Sequence, residues 1–473
     1  MVPCVAGFPP AERTIMNETK TLASYLSGLS YEDLPEEAVT QIKKTLLDWM
    51  ALTIRGSRER APYLIRSVLL PPDGGRESTV FGLHPPFHCT LRTSSLNAAF
   101  VNGAASHSLD FDDLHNPSII HLACVTIPAA MALAEARKAS GRELLTAIAA
   151  GYELGGRVGE SIQPDSYYFW HTTGTVGTLA AAASAASILH LDSAHYLQAL
   201  GSAGTQAAGL WEFLAEGAMS KPLHAGKACY GGVLSALLAE KGYTGATKIL
   251  EGEKGFCRAM MKKPHLEKLT ENLGKDFIII HNSIKPYPCC KHSHAALYGI
   301  HEIMDKNGIR GDDVKEIILK VNDITDSLIN NPTPRTPYGC KFSLQYCAAV
   351  MAVNGAIGID DFREQAVKRE NILEMMKKVT VQKDPGLTAI HEAHPDQLAS
   401  AIEIRTKDGK DLKQMIKYPK GDPENPMTFE ELAEKGHHLT DEIIGPHTYD
   451  RLFDLVMHMD QVKDVDSAIG SIE

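Results

Sequence analysis

Residues 172–189 read Thr-Thr-Gly-Thr-Val-Gly-Thr-Leu-Ala-Ala-Ala-Ala-Ser-Ala-Ala-Ser-Ile-Leu and form the longest low-charge run of the chain. A helix that spans a bilayer takes about 20 strongly apolar residues. This run is instead interrupted by small polar residues and by Gly174 and Gly177. Small side chains let neighbouring helices approach closely. The run therefore predicts a buried helix in a protein without a membrane span.

The segments on both sides of this run carry signals for further helices. Pro35 opens a helical apolar period that ends at Gly56. Ser140 and Glu143 form a capping box, and Asp192 is placed to cap another helix. The first two thirds of the chain are therefore predicted to be helical.

The pattern changes near Lys275, where β-branched and alternating segments begin. Strand patterns occupy 278–280, 316–321, 379–382 and 401–405, with a hairpin turn at Asp408-Gly409, and helical patches occupy 295–306, 344–353 and 361–376. A capping box at Thr428 and Glu431 then starts a helical return. We predict a mainly α fold, in which a large all-helical domain (1–275 and 421–473) carries an inserted smaller α+β domain (276–420).

Composition and motifs exclude several classes of function. The chain has 473 residues and a net charge of −11 at pH 7, which disfavours general nucleic-acid binding. The glycines between 151 and 159 follow no predicted strand, so they are not a dinucleotide fingerprint, and the sequence contains no phosphate loop. The nine cysteines show no secreted spacing, and Met1–Ile15 has no secretory pattern. These observations predict a reducing, cytoplasmic compartment.

Five short segments concentrate residues suited to chemistry. They are 107–113 with His115 and His121 beyond it, His171 after four aromatic residues, 220–227, 285–294 and 341–346. The aspartates of the first segment fall near a predicted helix C-terminus, which costs about a few tenths of a kcal/mol or more per charge. Either this is a solvated acidic turn, or the carboxylates are used. Lys221 stands beside a helix-initiating proline, where it and free N–H groups can bind a carboxylate.

Lysines beside histidines and an aspartate fit a small polycarboxylate, on which a histidine can move a proton α to a carboxylate. Two other hypotheses stay open. A metal-dependent hydrolase or hydratase would use Asp110, Asp112, His121 and the 289–294 cluster, although that cluster lacks the second cysteine pair of a standard zinc site. A non-catalytic binding protein would hold the same ligand without turnover.

Six segments together resemble the MmgE/PrpD family, in the family's order and over nearly the whole chain. They are 107–113, His171 with 174–178, 221–226, 251–256, 285–290 and 341–346. The resemblance implies a helical domain with an inserted α+β lid domain, a homodimer, and a reaction without metal or other cofactor. Members of this family include 2-methylcitrate dehydratases, cis-aconitate decarboxylases and an iminodisuccinate epimerase.

The resemblance also implies roles for particular residues. Catalytic roles fall to Asp110, His121, His171 and the lid residue Tyr346, and substrate-binding roles fall to Lys221, Lys285 and His224. In this scheme the two lysines hold substrate carboxylates, one from each domain, and no residue is assigned to a metal. The partner is a small carboxylic acid, not a nucleic acid or a membrane.

Two positions depart from the family pattern. Leu114 stands where the decarboxylases and dehydratases carry threonine, and Leu122 follows His121 where the dehydratases carry proline. We predict a cofactor-independent lyase on a small di- or tricarboxylate, with decarboxylation of a cis-aconitate-like acid placed ahead of 2-methylcitrate-like dehydration. The alternative is an epimerase or isomerase of a dicarboxylate such as iminodisuccinate, which would use His121 with Lys285 or Tyr346.

Overall fold

The computed structural model of the protein describes residues 17–70, 75–82 and 91–472. Cys4, Cys89 and the segment Met1–Ile15, which contributed to the compartment prediction, lie outside these residues. The seven cysteines that are described are free thiols. Within the described ranges, no helix combines the length and the apolar character that crossing a membrane requires.

The first two thirds of the chain are helical, as predicted, with two minor strand pairs. The helices are α1 (Glu18–Gly28), α2 (Glu36–Gly56), α3 (Arg60–Leu69), α4 (Ser95–Ser106), α5 (Ala123–Arg137), α6 (Gly141–Ile162), α7 (Thr172–Ile188), α8 (Ser193–Gly204), α9 (Phe213–Glu216), α10 (Ser220–Glu240) and α11 (Phe256–Met260). The strands are β1 (Ser78–Val80) paired with β2 (Leu91–Thr93), and β3 (Leu114–His115) paired with β4 (Asn282–Ser283).

Helix α7 is the run that opens the sequence argument, and it lies at the centre of the helical part. It packs against α5, α6, α8 and α10, and all of its residues except Ser187 are buried. The predicted buried helix is therefore confirmed. The predicted caps are also present, because Ser140 and Glu143 form the capping box of α6 and Asp192 accepts a hydrogen bond at the start of α8.

Close approach to α7 constrains the glycines of its neighbours. We expect Gly232→Ala in α10 to lower the free energy of unfolding by about 1–3 kcal/mol, since overpacking a tight contact forces the backbone apart. A Cβ at Gly232 would lie 2.5 Å from the backbone nitrogen of Ala182 in α7. Urea unfolding followed by circular dichroism measures the change.

Gly231→Ala is the matched control, one residue away in the same helix. There the nearest atom to an added Cβ is the Thr178 Cγ2 methyl, at 3.2 Å. Because alanine gains about 1 kcal/mol of helix propensity over glycine, we expect stability to stay within about 1 kcal/mol of wild type. Equal destabilisation by both variants would contradict the packing argument.

The part of the chain after β4 builds a second buried apolar cluster around a four-stranded sheet. Its elements are α12 (His294–Asn307), β5 (Val314–Val321), α13 (Asp323–Ile329), α14 (Pro337–Cys340), α15 (Leu344–Asn354), α16 (Glu370–Met376), β6 (Val379–Lys383), α17 (Pro385–Ala393), β7 (Ser400–Thr406) and β8 (Asp411–Ile416). The strand order is β6-β5-β7-β8; β5 and β6 are parallel and the other pairs are antiparallel. The strands predicted from 316 onwards and the hairpin turn, where Gly409 has φ +92°, are confirmed.

Two local predictions in this part need correction. The β-branched segment 278–280 forms a 3-10 turn, Ile278–His281, rather than a strand. The backbone of this turn is hydrogen-bonded to the helical part, because the Ile278 N–H donates to the Glu153 carboxylate at 2.6 Å. In the predicted helical patch 361–376, only α16 is an α-helix.

The last segment returns to the helical part. It contains α18 (Phe429–Ile444), which begins with the predicted Thr428–Glu431 capping box, α19 (Pro446–Met457) and α20 (Val465–Gly470). Apolar residues from 439 to 472 join the same buried cluster as those of the first helices. Lys435 of α18 also pairs with Asp48 of α2 at 2.5 Å. The mainly α fold class is confirmed, while the domain boundaries at 275 and 420 stay predictions.

Candidate active site

The loop after α4 brings lysines from three separate segments together. Asp110 has a left-handed backbone with φ +57°, and its carboxylate accepts a hydrogen bond from Lys221, in the first turn of α10, at 2.5 Å. Lys285, after β4, lies 3.5 Å from the same carboxylate oxygen and donates to the Asp110 carbonyl at 3.1 Å. Lys341, between α14 and α15, donates to the carbonyl of Leu109. Three ammonium groups thus meet at one loop.

The opposite charges of this cluster stabilise one another in their ionised forms. Burial opposes ionisation of Asp110, but Lys221, Lys285 and Lys341 outweigh it and hold the pKa of that carboxyl well below its usual range. Burial likewise opposes the charge of Lys221, but the Asp110 carboxylate raises the pKa of Lys221 above its ordinary value. Both groups are therefore ionised at neutral pH, and loss of either leaves a buried charge without its partner.

Four histidines line the same site. The His107 ring stacks on His171 with centroids 5.4 Å apart and meets His121 edge to face at 4.8 Å. His171 Nδ1 lies 3.1 Å from His224 Nδ1. Burial lowers the pKa of all four rings, and for three of them, His107, His121 and His171, the charge of Lys221 lowers it further. The rings are therefore neutral at pH 7.

Asp112 is the carboxylate that contacts two of the histidines. It accepts a hydrogen bond from His107 Nδ1 at 2.6 Å and lies 3.4 Å from His121 Nδ1. Burial opposes its ionisation, but His107 and His121 bring the pKa of Asp112 below its ordinary value. An ionised carboxylate beside His121 stabilises that ring whenever it carries a proton. Asp112 is therefore placed to orient His121 and to stabilise its protonated form.

Asp113 is the next residue, but it has the opposite charge state. Its carboxyl group accepts a hydrogen bond from the Tyr152 hydroxyl at 2.6 Å and lies 3.1 Å from the Ala123 N–H, on the side of α5 and α6. Burial, together with the charge of Asp112, raises the pKa of Asp113 to about 8. At neutral pH Asp112 is a carboxylate and Asp113 is largely a protonated acid.

This contrast gives a matched pair of variants. We expect Asp112→Asn to lower kcat roughly 10- to 100-fold, because groups that orient an active side chain typically carry effects of that size. Asp113→Asn replaces a neutral acid by a neutral amide, so we expect kcat within about 3-fold of wild type, an effect worth less than 1 kcal/mol. Steady-state turnover of the substrate proposed below measures both variants. Equal losses would contradict the assignment.

The Asp113 variant has a second readout in stability. The folded-state pKa of about 8 lies above the ordinary value of 3.8, so the folded protein holds a proton that the unfolded chain releases. Stability from this group is full below pH 4 and is lost as the pH rises towards 8. We therefore expect Asp113→Asn to gain stability relative to wild type between pH 5 and pH 8 in thermal unfolding.

Several buried polar atoms around the site have no hydrogen-bond partner among the described residues. They are Asp110 Oδ2, Asp112 Oδ1, His107 Nε2, His171 Nε2 and the Tyr338 hydroxyl. A buried polar group left unpaired costs about 1–3 kcal/mol. Such atoms gathered in one place are suited to contacts with a polar ligand.

Six of the seven predicted site residues come together in this cluster: Asp110, His121, His171, Lys221, His224 and Lys285. Tyr346 does not. Its ring is buried in the apolar cluster around the sheet, and its hydroxyl donates to the carbonyl of Asp361. Two other tyrosines, Tyr338 of α14 and Tyr167 of the helical part, interact electrostatically with Lys221 and Asp110. The predicted placement of Tyr346 near the site is therefore corrected.

The site also contains residues that sequence reasoning did not assign to it. His107 and Lys341 stand inside two of the six family-like segments, so a signal for them existed. Trp211 had no such signal, yet its ring packs against His171 with centroids 4.6 Å apart. Of the four aromatic residues that precede His171, Tyr168 and Phe169 are exposed.

The metal-dependent hypothesis needs donor side chains that can face one ion. Among the described residues, His107, Asp112 and Cys124 place three potential ligand atoms within 4.8 Å of one another. In the structure, His107 and Asp112 bond to each other, and the Cys124 thiol donates to the carbonyl of His121. In the 289–294 cluster, Cys289 contacts Ser293 and His292 contacts Thr325.

These side chains form a buried site with three ammonium groups and four histidines, which is the kind of site that suits a small anion. Sequence comparison identifies the family. The MmgE/PrpD N-terminal domain matches residues 20–269, and the MmgE/PrpD C-terminal domain matches residues 287–461. The chain belongs to the MmgE/PrpD family.

Curated relatives match over almost their full length. The cis-aconitate decarboxylase of Homo sapiens is 27% identical over 465 residues, which cover 94% of this chain and 92% of the relative. The cis-aconitate decarboxylase of Aspergillus terreus is 24% identical over 481 residues, 94% of each chain. The cis-aconitate decarboxylase-like protein oryM of Aspergillus oryzae is 25% identical over 490 residues, which cover 96% of this chain and 97% of the relative.

Proposed function

We propose that the protein is a cofactor-independent lyase that decarboxylates cis-aconitate or a closely similar unsaturated acid. The observation that carries this proposal is the convergence of Lys221 and Lys285 on Asp110, beside the His121–Asp112 pair. The lysines supply positive charge for substrate carboxylates, and His121 supplies a proton. The curated relatives that carry the name cis-aconitate decarboxylase support this choice of reaction.

In this proposal the lysines bind the carboxylates of the acid before the reaction starts. Asp110 holds the Lys221 ammonium at 2.5 Å, so this positive charge is already oriented when the acid arrives. Charge-assisted hydrogen bonds from lysine to carboxylate are among the stronger polar contacts in proteins. Preorganised ammonium groups also stabilise the negative charge that develops during the reaction.

In the decarboxylation step, the bond between the CH2 carbon and its carboxylate breaks and CO2 departs. The released electron pair forms a new carbon–carbon double bond, and the π pair of the original double bond shifts to the carbon α to a remaining carboxylate. His121 gives a proton to the resulting carbanionic carbon and later recovers one from water. Burial lowers the pKa of free His121, but an anionic substrate raises it, so the ring is loaded with a proton as the acid binds.

Access to the site requires movement. Lys285 is only 2% exposed and Lys221 only 7%. Because Lys341 and Tyr338 contribute to the site from the part of the chain after β4, we propose that this part moves as a lid to admit the acid. Closure then excludes water from the carbanionic state.

The experiment is incubation of the purified, chelator-treated protein with cis-aconitate in deuterated water. We expect CO2 release and a product with one deuterium on the protonated carbon. Deuterium entering unreacted acid without loss of CO2 or water would instead show an epimerase or isomerase and would overturn the proposal. Activity that vanishes after chelation and returns with a metal would overturn the cofactor-independent mechanism.

We also propose a homodimer, as the resemblance to the family implies, and a cytoplasmic location, as the cysteine pattern predicts. Multi-angle light scattering at micromolar concentration tests the dimer, and a monomeric mass would contradict it. Localisation of the tagged full-length protein tests the compartment.

A further inference from the structure

Lys341 is the site lysine whose charge is least balanced. Its ammonium donates to the backbone carbonyl of Leu109, and among the described residues no carboxylate lies within 4.0 Å of it. Lys221 and Lys285 both reach the carboxylate of Asp110 within that distance. Burial lowers the pKa of Lys341, and Asp110 opposes this effect only from further away.

A cation held in this way points to an anionic ligand. Partial burial of an ammonium group is costly unless a counter-charge is supplied. The ammonium also lies 5.3 Å from the centre of the Phe362 ring, a favourable arrangement for a cation over an aromatic face. Three ammonium groups therefore share one aspartate, Asp110, while Asp112 is occupied by His107 and His121.

We propose that Lys341 binds a third carboxylate of the substrate and thereby selects tricarboxylates over dicarboxylates. This inference rests on the proposed function, because it concerns the same site and the same acid. Lys221 and Lys285 take two carboxylates on the side of the helical part and the β4 segment. Lys341 exchanges the Leu109 carbonyl for the third carboxylate, so a dicarboxylate leaves this ammonium with its weaker backbone partner.

The test measures binding of unreactive acids to the full-length protein by titration calorimetry. The probes are propane-1,2,3-tricarboxylate and two dicarboxylates, glutarate and methylsuccinate, which lack its central or one of its terminal carboxylates. We expect wild type to prefer the tricarboxylate. We expect Lys341→Met to weaken tricarboxylate binding roughly 10- to 100-fold, the usual range for a hydrogen bond to a charged group, and to leave dicarboxylate binding within about 2-fold. Lys341→Arg, which keeps the charge, should retain most of the preference.

Lys378→Met is the matched control. Lys378 is another half-buried lysine of the α+β part whose ammonium donates to a backbone carbonyl, that of Val314 at 2.9 Å, but it lies outside the site. We expect all three affinities of this variant to equal those of wild type. Thermal unfolding of each variant shows that it is folded, and Lys341→Arg tests the proposal if Lys341→Met does not fold.

The outcomes separate this inference from the proposed function. Equal weakening of all three acids by Lys341→Met, unchanged binding, or a wild type that does not bind the tricarboxylate would overturn the role of Lys341. Tricarboxylate-selective binding that depends on Lys341, in a protein that does not release CO2 from cis-aconitate, would support the inference and overturn the decarboxylase proposal.

Discussion

Replacing Lys221 by methionine will reduce kcat/KM for cis-aconitate by roughly 1,000-fold, the order expected when one partner of a buried, hydrogen-bonded charge pair is removed. Lys221 stands in the first turn of α10, is 7% exposed, and bonds to Asp110 at 2.5 Å. Methionine keeps most of the volume of the side chain but supplies no charge. In the proposed mechanism the variant therefore loses a contact to substrate, and it leaves Asp110 with fewer counter-charges.

Lys227→Met is the control for this prediction. Lys227 lies six residues further along α10, and its ammonium donates to the carbonyl of Gln206 rather than to a site carboxylate. We expect kcat/KM within about 3-fold of wild type, as for most substitutions away from a functional contact. Steady-state kinetics at several substrate concentrations separates the effect on KM from the effect on kcat. Similar losses in both variants would contradict the role of Lys221.

Much of the helical scaffold could be predicted because its signals are local. The capping box at Ser140 and Glu143 depends on residues three apart. The absence of charge and the many small residues in 172–189 predicted a buried helix before its neighbours were known. The same locality explains the error at 278–280, where β-branched residues favour a strand but the Ile278 N–H is held by Glu153, which is distant in sequence.

The site was predictable only in part, for a related reason. The segments that resemble the family predicted Asp110, His121, Lys221 and Lys285 as site residues, and the structure places these four residues together. Sequence order could not show that Tyr338 rather than Tyr346 interacts with Lys221, because that depends on how α14 packs. Sequence order also could not show that the adjacent residues Asp112 and Asp113 have opposite charge states. His107 and His121 lower the pKa of Asp112, whereas burial raises the pKa of Asp113.

His121→Gln is the second variant with a large expected effect. The ring is 3.4 Å from the Asp112 carboxylate and meets His107 at 4.8 Å between centroids, and it sits just before α5, beside the lysine cluster. If it delivers the proton to the carbanionic carbon, its loss lowers kcat by roughly 100- to 10,000-fold, the usual range for general acid–base catalysis. In the proposed mechanism the lysines bind the substrate, so KM should change by only about 3-fold, which is less than 1 kcal/mol.

His115→Gln provides a buried histidine from the same loop as a control. His115 contacts the Ser118 hydroxyl at 2.8 Å and is not part of the histidine cluster. We expect this variant to lower thermal stability while kcat stays within about 3-fold of wild type, because its effect acts through packing.

In deuterated water, wild type should label one face of the product carbon. Residual turnover by His121→Gln should lose that facial preference, since the proton then comes from solvent. A variant that keeps both its rate and its facial preference would show that another group delivers the proton.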